Sequence, residues 1–210
     1  MQDSNRHQDE DLFRAVAYRF LSRLFASELD QATIDSIRSG DIRQFLDDLA
    51  CQEQFKEPVR WVIFNLDQRE DHADDVMDLR VAFAQLFLVG SRMSAAQPYA
   101  SYYMSGRQTL SHPCVSEIAD YYRQYNLVAN ENFSEPEDHL ALMLGFLSTL
   151  ASQQETRPQQ VDFIEKYLTP WLGDFVADCN ANDPDGFYTA CASLMRAFVE
   201  HDLSSLKKNN

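Results

Sequence analysis

Apolar residues recur three and four positions apart along almost the whole chain, the spacing that gathers them on one face of an α-helix. Over 9–25, Leu12, Val16, Phe20 and Leu24 predict a first helix, capped by Asp9 or a neighbouring acid. Short helices follow over 33–38 and 41–51, parted at Gly40. Val59, Val62, Ile63 and Leu66 mark a helix over 58–66, and Met77, Val81, Phe83 or Ala84, and Leu88 a longer one over 74–89. Val115, Ile118, Tyr122 and Tyr125 do the same over 113–127. A strongly apolar run, 140–147, predicts a largely buried helix opened by Ser134. The segment 158–179 carries Val161, Ile164, Leu168, Leu172 and Phe175, with Pro170 expected to kink or divide it. Asp183 to Gly186 reads as a turn, and a last helix runs over 187–203. No stretch alternates apolar and polar residues as a strand would. The predicted fold is all-α, one globular helical domain of about nine or ten helices over residues 1–210.

Two stretches leave this pattern. Residues 90–111 hold Pro98, Gly106 and many small polar residues around Tyr99, Tyr102 and Tyr103. Long loops in compact domains are often functional, although a surface loop whose tyrosines fold back on the body is an equal alternative. Residues 128–134 form a polar connector, expected to act as a hinge between two helical parts. Such a hinge permits domain swapping, so a monomer and a homodimer both stay open. Residues 207–210 are expected to fray.

Charge narrows the choice of partners. Lys and Arg number 18 against 33 Asp and Glu, a net charge of −15 that repels nucleic acid and anionic lipid and attracts basic peptides. Hydrophobic residues reach 45%, too many for a disordered acidic tail, and only 6 glycines favour long helices over many-turned β-structure. Cys51, Cys114, Cys179 and Cys191 lack paired spacing, which fits a reducing compartment. The acidic start, and an apolar stretch interrupted by Arg14, Arg19 and Arg23, do not read as a signal peptide. The uncharged runs fall short of the roughly 20 apolar residues of a membrane span. A soluble cytoplasmic protein is expected.

The densest chemistry lies in Ser134-Glu135-Pro136-Glu137-Asp138-His139. Ser134 and Glu137 have the spacing of a capping box, and Pro136 is tolerated in a first helical turn. On that helix Glu135, Asp138 and His139, three and four residues apart, would share one face. One reading is a helix start whose acids complement the dipole and whose histidine is a satisfied core residue. The other is a recognition point, with carboxylates accepting from an arginine fork and an imidazole biased neutral by the helix's positive end. Planar matching of guanidinium and carboxylate would suit a basic peptide.

Other chemistry finds little support. His112 and Cys114 stand two apart, but no CxxC, HxxxH or HExxH pattern occurs, so no metal is expected. His201-Asp202 resembles the dipeptide of helical phosphohydrolases without the further His and Asp such a metal site needs. There is no nucleophile elbow and no phosphate-cradling glycine loop. A small helical nucleotide hydrolase remains an alternative on the His/Asp cluster alone.

Three segments carry a family resemblance: 132–141, with its E-P-x-D-H element; Gln97-Pro98-Tyr99-Ala100-Ser101-Tyr102; and Gly186-Phe187-Tyr188-Thr189-Ala190 with Leu194 and Val199-Glu200. Together with the end of the first helix they make the chain resemble the TorD/DmsD/NarJ family of redox-enzyme maturation chaperones. The resemblance implies an all-helical chaperone, not an enzyme, that binds the twin-arginine signal peptide and apo-form of a molybdoenzyme. It would keep the client competent for molybdenum-cofactor insertion and delay export. Trimethylamine-N-oxide reductase is the client expected; a DMSO, nitrate or formate enzyme is the alternative. Cofactor-biosynthesis proteins are further expected partners. The implied binding residues are Pro98, Ser101, Tyr102, Glu135, Pro136, Asp138 and His139, with Asp74 and Asp75 aligned more weakly. No resident cofactor is implied; weak GTP binding is associated with some members, and no site for it stands out in the chain.

Overall fold

Helix starts and stops follow local chemistry along most of the chain. The computed structural model describes residues 2–67, 75–88, 96–107, 109–127, 134–153, 156–183 and 186–208. Helix α1 (Gln2–Ala26) begins upstream of the expected cap at Asp9. Asp30 caps α2 (Gln31–Ser39), its carboxylate accepting from the Thr33 amide at 2.8 Å. Gly40 separates α2 from α3 (Asp41–Leu49), and a Cβ there would meet the Ser36 Cα at 2.8 Å, so the turn needs glycine. Helix α4 (Glu53–Asp67) contains Pro58 and starts a turn and a half before it. Helix α5 (Asp75–Phe83) continues into a π-helical turn, Ala84–Leu88.

The stretch expected to be irregular holds a short helix, α6 (Ala100–Met104). Helices α7 (Cys114–Gln124) and α8 (Leu140–Ala151) follow. Helix α9 (Arg157–Phe163) passes through a second π-helical turn, Ile164–Leu168, into α10 (Thr169–Asn182). The interruption expected at Pro170 thus lies just before it. Proline cannot bond back to the carbonyl four residues earlier, and a widened turn absorbs that loss. Helix α11 (Phe187–Lys208) runs on past Leu203, and Lys207, expected to fray, bonds Glu165. No strand occurs among the described residues; the one β-type contact is an isolated bridge between Tyr99 and His139.

Two compact units form, each assembled from separate stretches: Met1–Ala26 with Pro98–Leu172 and Glu200–Asn210, and Ser27–Gln97 with Gly173–Val199. In the second unit Phe83, Phe87, Phe175, Phe187 and Tyr188 build an aromatic core, and Phe55 meets Phe198. The connector expected as a hinge lies in the sequence span of the first unit, and all of it except Ser134 is outside the described residues.

The first unit centres on α1 packed against α8. Tyr18, Leu21, Leu24 and Phe25 are buried on α1, and Leu140, Met143, Leu144, Leu147 and Leu150 on α8. Small residues let the two backbones approach. Ser22 Oγ donates to the Ala141 carbonyl and Ser148 Oγ to the Ala15 carbonyl, both at 2.7 Å, while Gly145 faces Ser22.

A buried ion pair closes this unit. Arg14 Nε donates to Asp202 Oδ1 at 2.5 Å and Nη2 to Asp202 Oδ2 at 3.0 Å, the bidentate geometry of a strong guanidinium–carboxylate pair. Tyr18 donates to the same carboxylate at 2.7 Å, and Arg14 also bonds Gln160 and Asp11. Burial, then the Asp202 charge, pushes the Tyr18 phenol far up, so it stays a donor. Asp202, half of the phosphohydrolase-like dipeptide, therefore holds the last helix to the first, and His201 is exposed.

Removing one partner of a buried pair strands the other charge. Asp202→Ala and Arg14→Leu should each lower stability by about 3–5 kcal/mol in urea unfolding. The double variant should lose clearly less than the two losses added, with a coupling of about 1–3 kcal/mol. Simple additivity would show that the pair does not act as a unit.

Candidate binding site

The acidic turn does not open the helix it precedes. Helix α8 starts at Leu140, and its N-cap is His139, in extended conformation (φ −65°, ψ 132°) with Nδ1 accepting from the Ala141 amide at 3.1 Å. The capping box expected from Ser134 and Glu137 is replaced because the backbone here pairs with a distant segment. The Leu140 amide donates to the Pro98 carbonyl at 2.8 Å and the Ala100 amide to the Asp138 carbonyl at 3.2 Å. These bonds frame the antiparallel Tyr99–His139 bridge and require extended backbone at 138–139. Glu135, Asp138 and His139 therefore do not share a helical face.

Asp138 is fully buried. Its Oδ2 accepts from the Ser101 amide at 2.7 Å, satisfying an otherwise orphaned donor in the first turn of α6. Among the described residues its Oδ1 and the buried Ser101 Oγ have no hydrogen-bond partner. His139 is 5% exposed, and the Tyr99 ring meets it edge to face with centroids 5.1 Å apart. With Nδ1 an acceptor, the neutral imidazole carries its proton on Nε2. Burial pushes its pKa down to about 4, and the Glu135 charge pulls weakly the other way. Tyr122 donates to the Glu137 carbonyl at 2.8 Å, tying the turn to α7. Cys114, first residue of α7, has its thiol pushed up to about 12 by burial and then by Asp138, so it is a poor nucleophile.

The residues named from the sequence separate into a frame and a rim. Pro98, Ser101, Asp138 and His139 are buried; Tyr102, Glu135 and Pro136 are half-buried, beside exposed Ser134. Tyr102 stands perpendicular to Tyr103 with centroids 5.0 Å apart, and Tyr103 stacks on Trp171 at 5.4 Å, so the aromatic edge rests on the core. Asp74 lies outside the described residues, and Asp75 opens α5, its side chain likewise outside them. Tyr99, noticed as part of an aromatic cluster but not named as a site residue, donates to Glu135 Oε2 at 2.6 Å. Burial and the Glu135 acceptor push its phenol far up. Its neighbours Pro98 and Ser101 in the same motif were the available signal. Among the described residues no group of three or more His, Cys, Asp or Glu could hold a metal and no helix is long and apolar enough to cross a membrane.

A histidine whose folded pKa lies below its unfolded value makes the unfolded state the stronger proton binder between the two. Its contribution is complete above pH about 6.5 and is lost as pH falls towards about 4, a loss on the order of 2–3 kcal/mol. His139→Asn keeps an N-cap acceptor without the titration, so unfolding free energies between these pH values should show a shallower slope than wild type. An unchanged slope would mean that His139 is not held neutral.

The family model described as nitrate reductase delta subunit matches residues 46–177. A protein named chaperone protein TorD from Aliivibrio salmonicida is 32% identical over 203 residues, covering 92% of this chain and 94% of the relative. Relatives of the same name from Shewanella sp. strain MR-4 (33%, covering 93% and 94%) and Vibrio cholerae (34%, covering 90% of each) are similar. The solved structure of a candidate redox enzyme maturation protein from Archaeoglobus fulgidus shares the fold, with a TM-score of 0.52 at 21% identity over 90% of this chain and 92% of that one. A family model spanning more than half of the chain, and TorD relatives spanning nine-tenths of it, place this protein in the NarJ/TorD family of maturation chaperones, which are not enzymes.

Proposed function

We propose that this chaperone captures the twin-arginine signal peptide and apo-form of a molybdoenzyme, trimethylamine-N-oxide reductase by its likeness to TorD relatives. In the cytoplasm it keeps the client competent for molybdenum-cofactor insertion and delays export until the cofactor is in place. The observation that carries this reading is the rim: Glu135 and Glu137 half-exposed on a turn anchored from within, with Tyr99 and Tyr102 from the facing segment. A net charge of −15 draws a cationic leader towards such a rim. In this reading Tyr102, Glu135 and Pro136 meet the guest, and Pro98, Ser101, Asp138 and His139 hold the frame that presents them. Asp74 and Asp75 add negative charge for the same client, and cofactor-biosynthesis proteins meet the loaded complex.

Magnitudes favour a transient hold. An exposed ion pair contributes about 0.2–1 kcal/mol and an exposed cation–π contact about 0.5–1 kcal/mol. A pair of arginines on this rim therefore supplies only part of a micromolar affinity, about 8 kcal/mol, and the apolar stretch of the leader must supply the rest. A chaperone that surrenders its client to an export machine needs such a balance.

Calorimetry with a synthetic twin-arginine leader separates the two classes of residue. Glu135→Gln and Tyr102→Ala should each weaken binding about 3–10-fold while the melting temperature stays close to wild type. Asp138→Ala should lower both, because it releases the α6 amide and loosens the frame. Wild-type affinity in the Glu135 and Tyr102 variants would rule out this rim as the docking point.

A further inference from the structure

Tyr99 touches both layers of the site. Its backbone pairs with His139, its ring stands edge to face against the buried imidazole, and its hydroxyl donates to Glu135 Oε2 at 2.6 Å. The flanking bonds from Ala100 to Asp138 and from Leu140 to Pro98 fix the chain on either side of it. The hydroxyl is thus positioned by the buried frame while the carboxylate it grips belongs to the rim. Glu135 itself lies on irregular backbone, with no helical turn to restrict its rotamers.

We infer that Tyr99 is a positioning residue that presents the Glu135 carboxylate as a seat for a guanidinium group in preference to an ammonium. This rests on the leader reading above and adds the basis on which arginine is chosen over lysine. Each carboxylate oxygen carries two lone pairs. Oε2 uses one on the phenol, which leaves Oε1 and the second lone pair of Oε2 as the paired acceptors that a planar guanidinium fork matches. Held in one plane, the carboxylate meets that fork without first losing rotamer freedom. A lysine ammonium, a compact point charge with rotatable donors, gains little from a fixed carboxylate plane. Tyr99 therefore acts on affinity through Glu135 and needs no contact with the guest.

The test is a double-mutant cycle on the full chain, read by calorimetry with a twin-arginine leader peptide and its twin-lysine analogue. Wild type should bind the arginine peptide more tightly. Tyr99→Phe keeps the ring on His139 and loses only the hydroxyl. It should weaken the arginine peptide about 3–10-fold, the size expected when one side chain must be ordered on binding, and the lysine peptide by much less. Tyr99→Phe added to Glu135→Gln should cost nothing beyond Glu135→Gln alone. Glu135→Asp, which keeps the charge but draws it away from the phenol, should reproduce the loss of arginine preference. Equal affinity of wild type and Tyr99→Phe for the arginine peptide, or fully additive effects in the cycle, would overturn the role of Tyr99 and leave the leader reading standing. No binding of either peptide by wild type would overturn the leader reading itself, and this inference with it.

Discussion

A carboxylate with no exposed surface, that of Asp138, holds together the part of the molecule where chemistry is concentrated. It reaches from the mouth of α8 to the first turn of α6 and accepts from the Ser101 amide. Backbone bonds on both sides bind the same two segments, 37 residues apart where Ser101 meets Asp138. A hydrogen bond to a charged group contributes about 1.5–3 kcal/mol, more than a neutral one, and stranding such a group inside costs more still. The contact is therefore strong enough to hold a stretch of irregular backbone in one shape. That shape keeps the half-buried Glu135 and Pro136 in place without help from a regular helix, beside Tyr102 on α6.

The same unit uses a second buried carboxylate differently. Asp202 meets a guanidinium and a phenol of α1 and, through Arg14, an amide side chain of α9, both helices far from it in sequence. There the charge is neutralised and the result is closure of α1, α9 and α11. At Asp138 an amide and the bridge backbone take the place of a cation. The two carboxylates thus do different work: one ties distant helices together, the other fixes an irregular turn whose neighbours Glu135 and Glu137 stay half-exposed.

Much of this was legible in the residues. The helices were readable because burial on one face imposes a 3.6-residue period on Leu, Val, Ile and Phe. This held for every helix but α6, with ends displaced by as much as the stretch from Gln2 to Asp9 at the start of α1. Glycine placed the parting of α2 from α3, while the Asp30 cap starts α2 two residues before the expected Thr33. The site motif was visible as a crowd of titratable groups beside proline. Its geometry was not. Capping-box spacing is a local signal, and a local signal cannot know that residues 98–100 will compete for the same backbone bonds. The same blindness hid α6, whose first-turn amide at Ser101 is satisfied by Asp138, far along the chain. It also hid the partnership of Arg14 with Asp202, separated by 188 positions.

By itself the sequence determined the helical class, the acidic field and the aliphatic faces, because these depend on composition and on neighbours within two turns of a helix. Its motifs carried the family resemblance. Only the tertiary structure decided which acids face inward and which outward. Asp138 and Glu135 are both carboxylates of one short acidic turn, yet one is sealed and the other stands at the rim. The difference comes from long-range backbone pairing, whose energy appears only when distant segments meet and the water between them is expelled.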